Sequence, residues 1–270
     1  MVTGGAGGGE RGAAELLVTT APDAPAALVA RARVIAKRCG ALFSPRRASV
    51  TRLLRDTGRV HAYIVGRERD ELRGGDEILW VHPGLFYLKR EAGATHPLLR
   101  ALAPEGEPPP RAIVDATLGL AGDAIHVASA LGARVIGCEA SPVLASLLEE
   151  GLPRLAKGGR GWSEGAARVE LRAGDALATL SGLEEGAVDA VYLDPMFEAP
   201  LAAQAGFDLL RAYAVHAPVD AALLAEAWRV AARRVVLKLP GMAAPPEGAP
   251  GPGWTRRVRG QAVDYAILER

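Results

Sequence analysis

From Ala112 to the C-terminus the chain alternates short apolar runs with longer amphipathic ones, and no other feature restricts its fold as strongly. Runs at 112–116, 134–138, 169–172, 188–193 and 234–239 read as strands, each followed by enough chain for a crossover helix. Parallel strands joined by crossovers have both faces covered, so the pattern predicts an α/β fold with a doubly wound parallel sheet. Two more strand-like runs, 255–258 and 262–268, are expected to pair as a terminal antiparallel hairpin at the sheet edge. A helix over 142–150 is well marked: Ser141 can cap it, Pro142 suits its first turn, and Leu144, Leu147 and Leu148 share one face.

The chain before Ala112 is organised differently. Residues 1–14 are rich in Gly and Ala without periodicity and read as a flexible tail. Residues 15–103 read as a small α+β domain: a strand at 16–20, a helix at 25–39, a short helix at 49–56, and strand-like stretches at 61–65, 78–81 and 85–89. In the first helix Leu28, Ala32, Ile35 and Cys39 fall on one face, and Gly40 is its natural stop. Residues 104–111 combine four prolines with acidic side chains, which predicts a linker to a second domain at 112–270.

Composition narrows the function classes. Of 270 residues, 49% are hydrophobic and 23% charged, values that suit a globular chain and exclude wholesale disorder. No apolar run reaches the ~18 residues that span a bilayer, and the first residues lack the apolar core of a signal peptide, so a cytoplasmic protein without membrane attachment is expected. Cys39 and Cys138 form no CxxC, and the five histidines form no HxxxH, so no metal is expected. The net charge of +1 conceals a basic excess: residues 31–60 carry nine Lys and Arg against one acid. That density suggests an anionic partner, with Arg46 and Arg47 as candidate substrate contacts; a solvated helix face is the competing explanation.

Two constellations carry chemistry. The first is Asp115-Ala-Thr-Leu-Gly-Leu-Ala-Gly-Asp123, where a strand runs through Gly119 and Gly122 into a helix. Glycines there let a ligand approach the backbone, and the helix N-terminus offers free N–H groups. Glu139 ends the next strand, twenty residues beyond Gly119, where an acid commonly takes the hydroxyls of a ribose. Without the third glycine of a dinucleotide site, the loop favours a nucleoside cofactor that lacks a pyrophosphate. Asp175, after the third strand, is placed either to reach an adenine amino group or to cap the following helix.

The second constellation is Tyr192-Leu-Asp-Pro-Met-Phe197 at the end of an apolar strand. Asp194 and the carbonyl of Pro195 offer two acceptors for an amino group, and Phe197 offers a flat face on which a base can stack. An ordinary strand-ending Asp-Pro turn is the alternative.

The order DATLGLAGD, Glu139, Gly174-Asp-Ala-Leu and YLDPMF resembles class I S-adenosylmethionine-dependent methyltransferases, which have a Rossmann-like sheet. In detail it is similar to the bacterial small-subunit ribosomal RNA guanine methyltransferases of the RsmJ type, which modify the exocyclic amino group of a guanosine. The resemblance runs from about Ile113 to Leu268, with YLDPMF as its most specific element. It implies S-adenosyl-L-methionine as cofactor and RNA as partner. It further implies a cofactor pocket lined by Gly122, Asp123, Glu139, Ala140, Gly174, Asp175 and Asp194. Three alternatives stay open: transfer to another amino group in RNA, DNA or protein; a nicotinamide-dependent oxidoreductase; and a non-catalytic RNA-binding protein on this scaffold.

Overall fold

The computed structural model describes residues 14–82, 93–196 and 207–270. In chain order the first elements are β1 (Leu16–Thr20), α1 (Ala26–Arg38), β2 (Leu42–Phe43), α2 (Val50–Thr57), β3 (His61–Val65), β4 (Glu71–Gly74) and β5 (Glu77–Leu79). Next come α3 (Pro97–Leu102), β6 (Ala112–Asp115), α4 (Gly122–Leu131), β7 (Arg134–Glu139), α5 (Pro142–Ala156), α6 (Ser163–Ala167), β8 (Val169–Ala173) and α7 (Ala176–Ser181). The chain closes with β9 (Val188–Leu193), α8 (Phe207–Tyr213), α9 (Ala221–Val230), β10 (Ala231–Pro240), β11 (Arg256–Arg259) and β12 (Val263–Glu269). The strand-like stretch at 85–89 lies outside the described residues, as does most of the N-terminal tail.

Contacts group these elements into two units, and both are discontinuous in sequence. The first gathers the described residues of Met1–Val81, Ser141–Arg154 and Ala203–Val215; the second gathers those of His82–Ala140, Leu155–Ala202 and His216–Arg270. A cut at 104–111 is therefore not how the contacts divide the chain. Residues 104–111 belong to the second unit, where Glu107 pairs with the buried Arg234 and the Pro108 carbonyl accepts from Arg233 at 2.7 Å. The stretch lacks periodicity, as a linker does, but its carboxylate neutralises a buried guanidinium.

The first unit holds a five-stranded sheet in the order β2-β1-β3-β4-β5. β1 runs parallel to β2 and β3, and β4 turns the rest antiparallel. Ser49 caps α2 by accepting from the Arg52 N–H at 3.3 Å, and Gly58, at φ 65°, ends it. α5 continues past the expected 150 to Ala156, through Gly151 and Pro153. Glycine is required at 151 because a Cβ there would lie 2.3 Å from the Val81 side chain.

The second unit is built on a seven-stranded sheet ordered β11-β12-β10-β9-β6-β7-β8. The five strands β6 to β10 are mutually parallel, as the alternation predicts. β12 enters antiparallel between β10 and β11, so the terminal hairpin forms at the edge. From β6 the chain winds outward through β7 and β8, then returns to β9 on the other side of β6. The crevice at the C-terminal ends of β6 and β9 is the topological switch point, where open α/β sheets place their ligands. The sheet is anchored by residues with no solvent exposure, including Val114, Val191, Leu193 and Val235, and by Leu224, Ala227 and Val230 of α9. Among the described residues no helix is long and apolar enough to cross a membrane.

Candidate functional site

The site of the second unit starts from the turn after β6. Leu118 donates its N–H to the Cys138 carbonyl at 2.9 Å and folds its side chain over β7, where a Cβ on Gly137 would sit 2.5 Å from it. That packing forces a tight turn. Gly119 takes φ 56° and Ala121 φ 61°, left-handed values that are ordinary for glycine and strained for alanine. The Gly119 N–H then donates to Glu139 Oε2 at 3.0 Å, and the Gly174 N–H donates to the Glu139 carbonyl at 2.8 Å. The three strand ends that carry Gly119, Glu139 and Gly174 are thereby fastened side by side.

The surface beside them is open backbone. A Cβ added at Gly122 or Gly174 would meet nothing within 4 Å, and one at Gly119 would meet only the Thr117 carbonyl oxygen at 4.0 Å. A buried carboxylate next to bare backbone suits the ribose and adenine of a nucleoside, so the residues present fit S-adenosylmethionine. Ala140 is exposed directly after Glu139. Asp175 is exposed and accepts from the Ala178 N–H at 3.0 Å, so it caps α7, the alternative that its position left open.

Asp194 stands at the end of β9, its N–H donated to Thr117 Oγ1. Its Oδ2 lies 2.7 Å from Lys238 Nζ on β10, and Asp123 Oδ2 lies 3.4 Å from the same ammonium. The Tyr192 hydroxyl donates to Asp123 Oδ2 at 2.8 Å. Burial works against the charge on Lys238, but Asp123 and Asp194 outweigh it and hold the amine above its usual range. Pro195 is half-buried after Asp194, and Phe197 lies outside the described residues. Arg46 and Arg47 belong to the other unit.

Three groups here had no role in the sequence reading: Lys238, Asp115 and Tyr192. Their signal is a polar side chain within an otherwise apolar strand, as in Val235-Val-Leu-Lys238. Asp115 is 2% exposed and accepts the Thr117 N–H at 3.1 Å. Burial first, and then the nearby Asp123 and Asp194, push its pKa from 3.8 to about 8. The folded state thus keeps a proton that the unfolded chain releases above about pH 4, so stability should fall as pH rises toward 8. Asp115→Asn is expected to flatten that fall and to add roughly 2 kcal/mol at pH 8. Urea unfolding of both proteins between pH 5 and 8 checks this, and parallel curves would contradict it.

A family model described as a putative SAM-dependent methyltransferase matches residues 86–252. The chain is 39% identical over 189 residues to ribosomal RNA small subunit methyltransferase J of Halorhodospira halophila, covering 67% of this chain and 68% of that protein. The protein of the same name from Laribacter hongkongensis is 41% identical over 155 residues, 56% of this chain and 54% of that one. The uncharacterised protein YpiP of Bacillus subtilis is 33% identical over 182 residues, 65% of this chain and 69% of that one. Among solved structures, a SAM-dependent methyltransferase from Neisseria gonorrhoeae superposes with a TM-score of 0.65 at 20% identity, covering 94% of this chain and 95% of that one. At that identity the likeness speaks to the fold.

Proposed function

Since the chain belongs to the family of S-adenosylmethionine-dependent methyltransferases, we propose that it methylates small-subunit ribosomal RNA, on the exocyclic amino nitrogen of a guanosine. The amino target is supported by the position of Asp194 and Pro195 directly after β9, beside the switch point, where a carboxylate and a carbonyl supply two acceptors for an amino group. The relatives named as small-subunit ribosomal RNA methyltransferase J support the RNA.

The cofactor supplies an electrophilic methyl group on a sulfonium. This chain's residues do the rest. Glu139 and the backbone of Gly119, Gly122 and Gly174 bind the nucleoside end. The amino nitrogen of guanine is a poor nucleophile because its lone pair is delocalised into the ring. Hydrogen bonds from that nitrogen to Asp194 and to the Pro195 carbonyl orient the lone pair and favour a pyramidal nitrogen. Lys238 pairs with Asp194 at 2.7 Å and fixes the orientation of its carboxylate. As the nitrogen becomes cationic its proton turns strongly acidic and passes to Asp194 or to water. Most of the rate then comes from positioning. Phe197 is assigned to stack the base; a base drawn from a duplex costs a few kcal/mol to extrude. A ribosomal RNA substrate places the protein in the cytoplasm.

Tritium transfer from labelled S-adenosylmethionine to small-subunit RNA, followed by mass mapping of the modified nucleotide, tests this function. A methyl group on a ring nitrogen, a ribose or a protein would displace it. Glu139→Ala is expected to weaken S-adenosylmethionine binding by ~1.5–3 kcal/mol, the scale of a hydrogen bond to a charged group. Calorimetric titration measures that loss. Glu139→Gln should recover part of it by keeping an acceptor for the Gly119 N–H, whereas unchanged affinity in both variants would remove Glu139 from the pocket.

A further inference from the structure

In the first unit the three parallel strands β1, β2 and β3 end on the same side, and a cavity of about 510 Å³ opens there between Ala21, Arg46 and the loop after β3. Its charged lining is Arg46, Arg67, Arg69 and Arg73 against Glu68 and Glu71, a net charge of +2. The acids do not balance the cations individually. Glu71, largely buried, serves both Arg73, whose Nε donates at 2.9 Å, and Arg69, whose guanidinium lies 3.5 Å away. Arg46 is half-buried and donates to the carbonyls of Ala48 at 2.8 Å and Thr20 at 3.3 Å, while Arg67 donates to the Asp23 carbonyl. A carbonyl satisfies an N–H without cancelling the charge. Burial and then the neighbouring Arg73 depress the pKa of Arg46, with Glu71 opposing them.

These guanidiniums are held on rigid backbone. The carboxylate of the fully buried Asp70 takes the Tyr63 hydroxyl at 2.8 Å, the Gly66 N–H at 3.1 Å and the Arg31 guanidinium. The Asp70 N–H donates to Glu150 at 3.1 Å. A Cβ on Gly66 would lie 1.9 Å from the Arg69 carbonyl oxygen, so the loop presenting Arg67 and Arg69 is closed tightly on itself.

Elsewhere in the basic segment 31–60 several cations have acidic partners. Arg31 pairs with Asp70, Arg38 with Glu149 at 2.7 Å, and Arg52 and Arg55 both with Asp56. At the strand ends, exposed Arg47 adds a further guanidinium with no ion pair among the described residues. We infer that this groove binds the phosphodiester backbone of RNA, with Arg46, Arg67, Arg69 and Arg73 as its phosphate contacts and Arg47 extending the row. Several cations in series suit consecutive phosphates better than a single small anion. The choice of RNA as the polyanion rests on the ribosomal RNA function proposed above.

Fluorescence anisotropy of a labelled small-subunit RNA fragment at several salt concentrations tests the groove. Arg67→Glu changes an exposed loop residue, and Arg46→Gln in the same chain removes a second phosphate contact. The double variant should bind at least tenfold more weakly at low salt. Its slope of log affinity against log salt should be shallower by about 1.4–1.8, from 0.7–0.9 per phosphate. Arg67→Glu alone should show about half of the slope change, which guards against a folding defect in the double variant. Wild-type affinity and slope in both variants would overturn the groove while leaving RNA methylation standing. Loss of binding in the variants, together with wild-type protein that methylates no ribosomal RNA, would support the groove and refute the function. Wild-type protein that binds no RNA, or inorganic phosphate displacing the RNA at equal concentrations of phosphate groups, would overturn the groove.

Discussion

Asp194→Ala is expected to lower methyl transfer by at least about a thousandfold, equivalent to roughly 4 kcal/mol of transition-state stabilisation. The loss is large because one side chain performs two tasks. In the mechanism proposed above it accepts the amino N–H at the end of β9, and it is the nearer carboxylate to the Lys238 ammonium, at 2.7 Å against 3.4 Å for Asp123. Alanine removes the acceptor and leaves Lys238 paired with Asp123 alone, so the charge of the three-group cluster facing the substrate changes from −1 to zero. Asp194→Asn separates these tasks, since it keeps an acceptor oxygen but abolishes the ion pair. It should retain more turnover than alanine if acceptance by the oxygen dominates. Single-turnover transfer of tritium to RNA, with folding followed by circular dichroism, gives the comparison. Near-normal turnover in Asp194→Ala would remove Asp194 from the chemistry.

Lys238→Met should destabilise the second unit by ~3–5 kcal/mol, the usual consequence of deleting one partner of a buried ionic cluster. The Lys238 side chain is 19% exposed, and its ammonium is the cation that Asp123 and Asp194 share, with buried Asp115 close by. Without it the carboxylates repel one another and bind protons more readily in the folded state than in the unfolded chain. Stability of the variant should therefore fall more steeply than that of the wild type as pH rises from 5 to 8, and the deficit should shrink at the acid end. Urea unfolding at several pH values measures this. A deficit independent of pH would mean that Lys238 contributes packing alone.

Much of the second unit was legible because its signals are local. Apolar runs of the right length become β6 to β10; in the first unit, by the same local logic, Ser141 caps α5 through the Leu144 N–H at 3.3 Å. Gly119 and Glu139 share a site because a strand-helix-strand unit of that length returns its second strand beside the first. The pairing of β11 with β12 follows from their proximity in sequence. The grouping of residues 104–111 with the catalytic unit was not legible, since its reason is a buried arginine at position 234. Nor could the basic segment 31–60 be resolved into paired and unpaired cations. Asp70, Glu149 and Glu150, which neutralise or brace it, lie from 39 to more than 100 residues away from their partners.

Sequence periodicity and turn chemistry by themselves determined which elements form, because each depends on the residues within a few positions of it. They also located Asp194 and Glu139 at strand ends, where an α/β sheet exposes its side chains. Only the tertiary structure decided which charges meet. Asp123, Asp194 and Lys238 come from three separate strand-helix units, and they converge because β9 and β10 follow one another in the sheet on one side of β6. Coulombic and hydrogen-bond energies act through space over a few ångströms and ignore the chain between partners, so no spacing along the sequence encodes them.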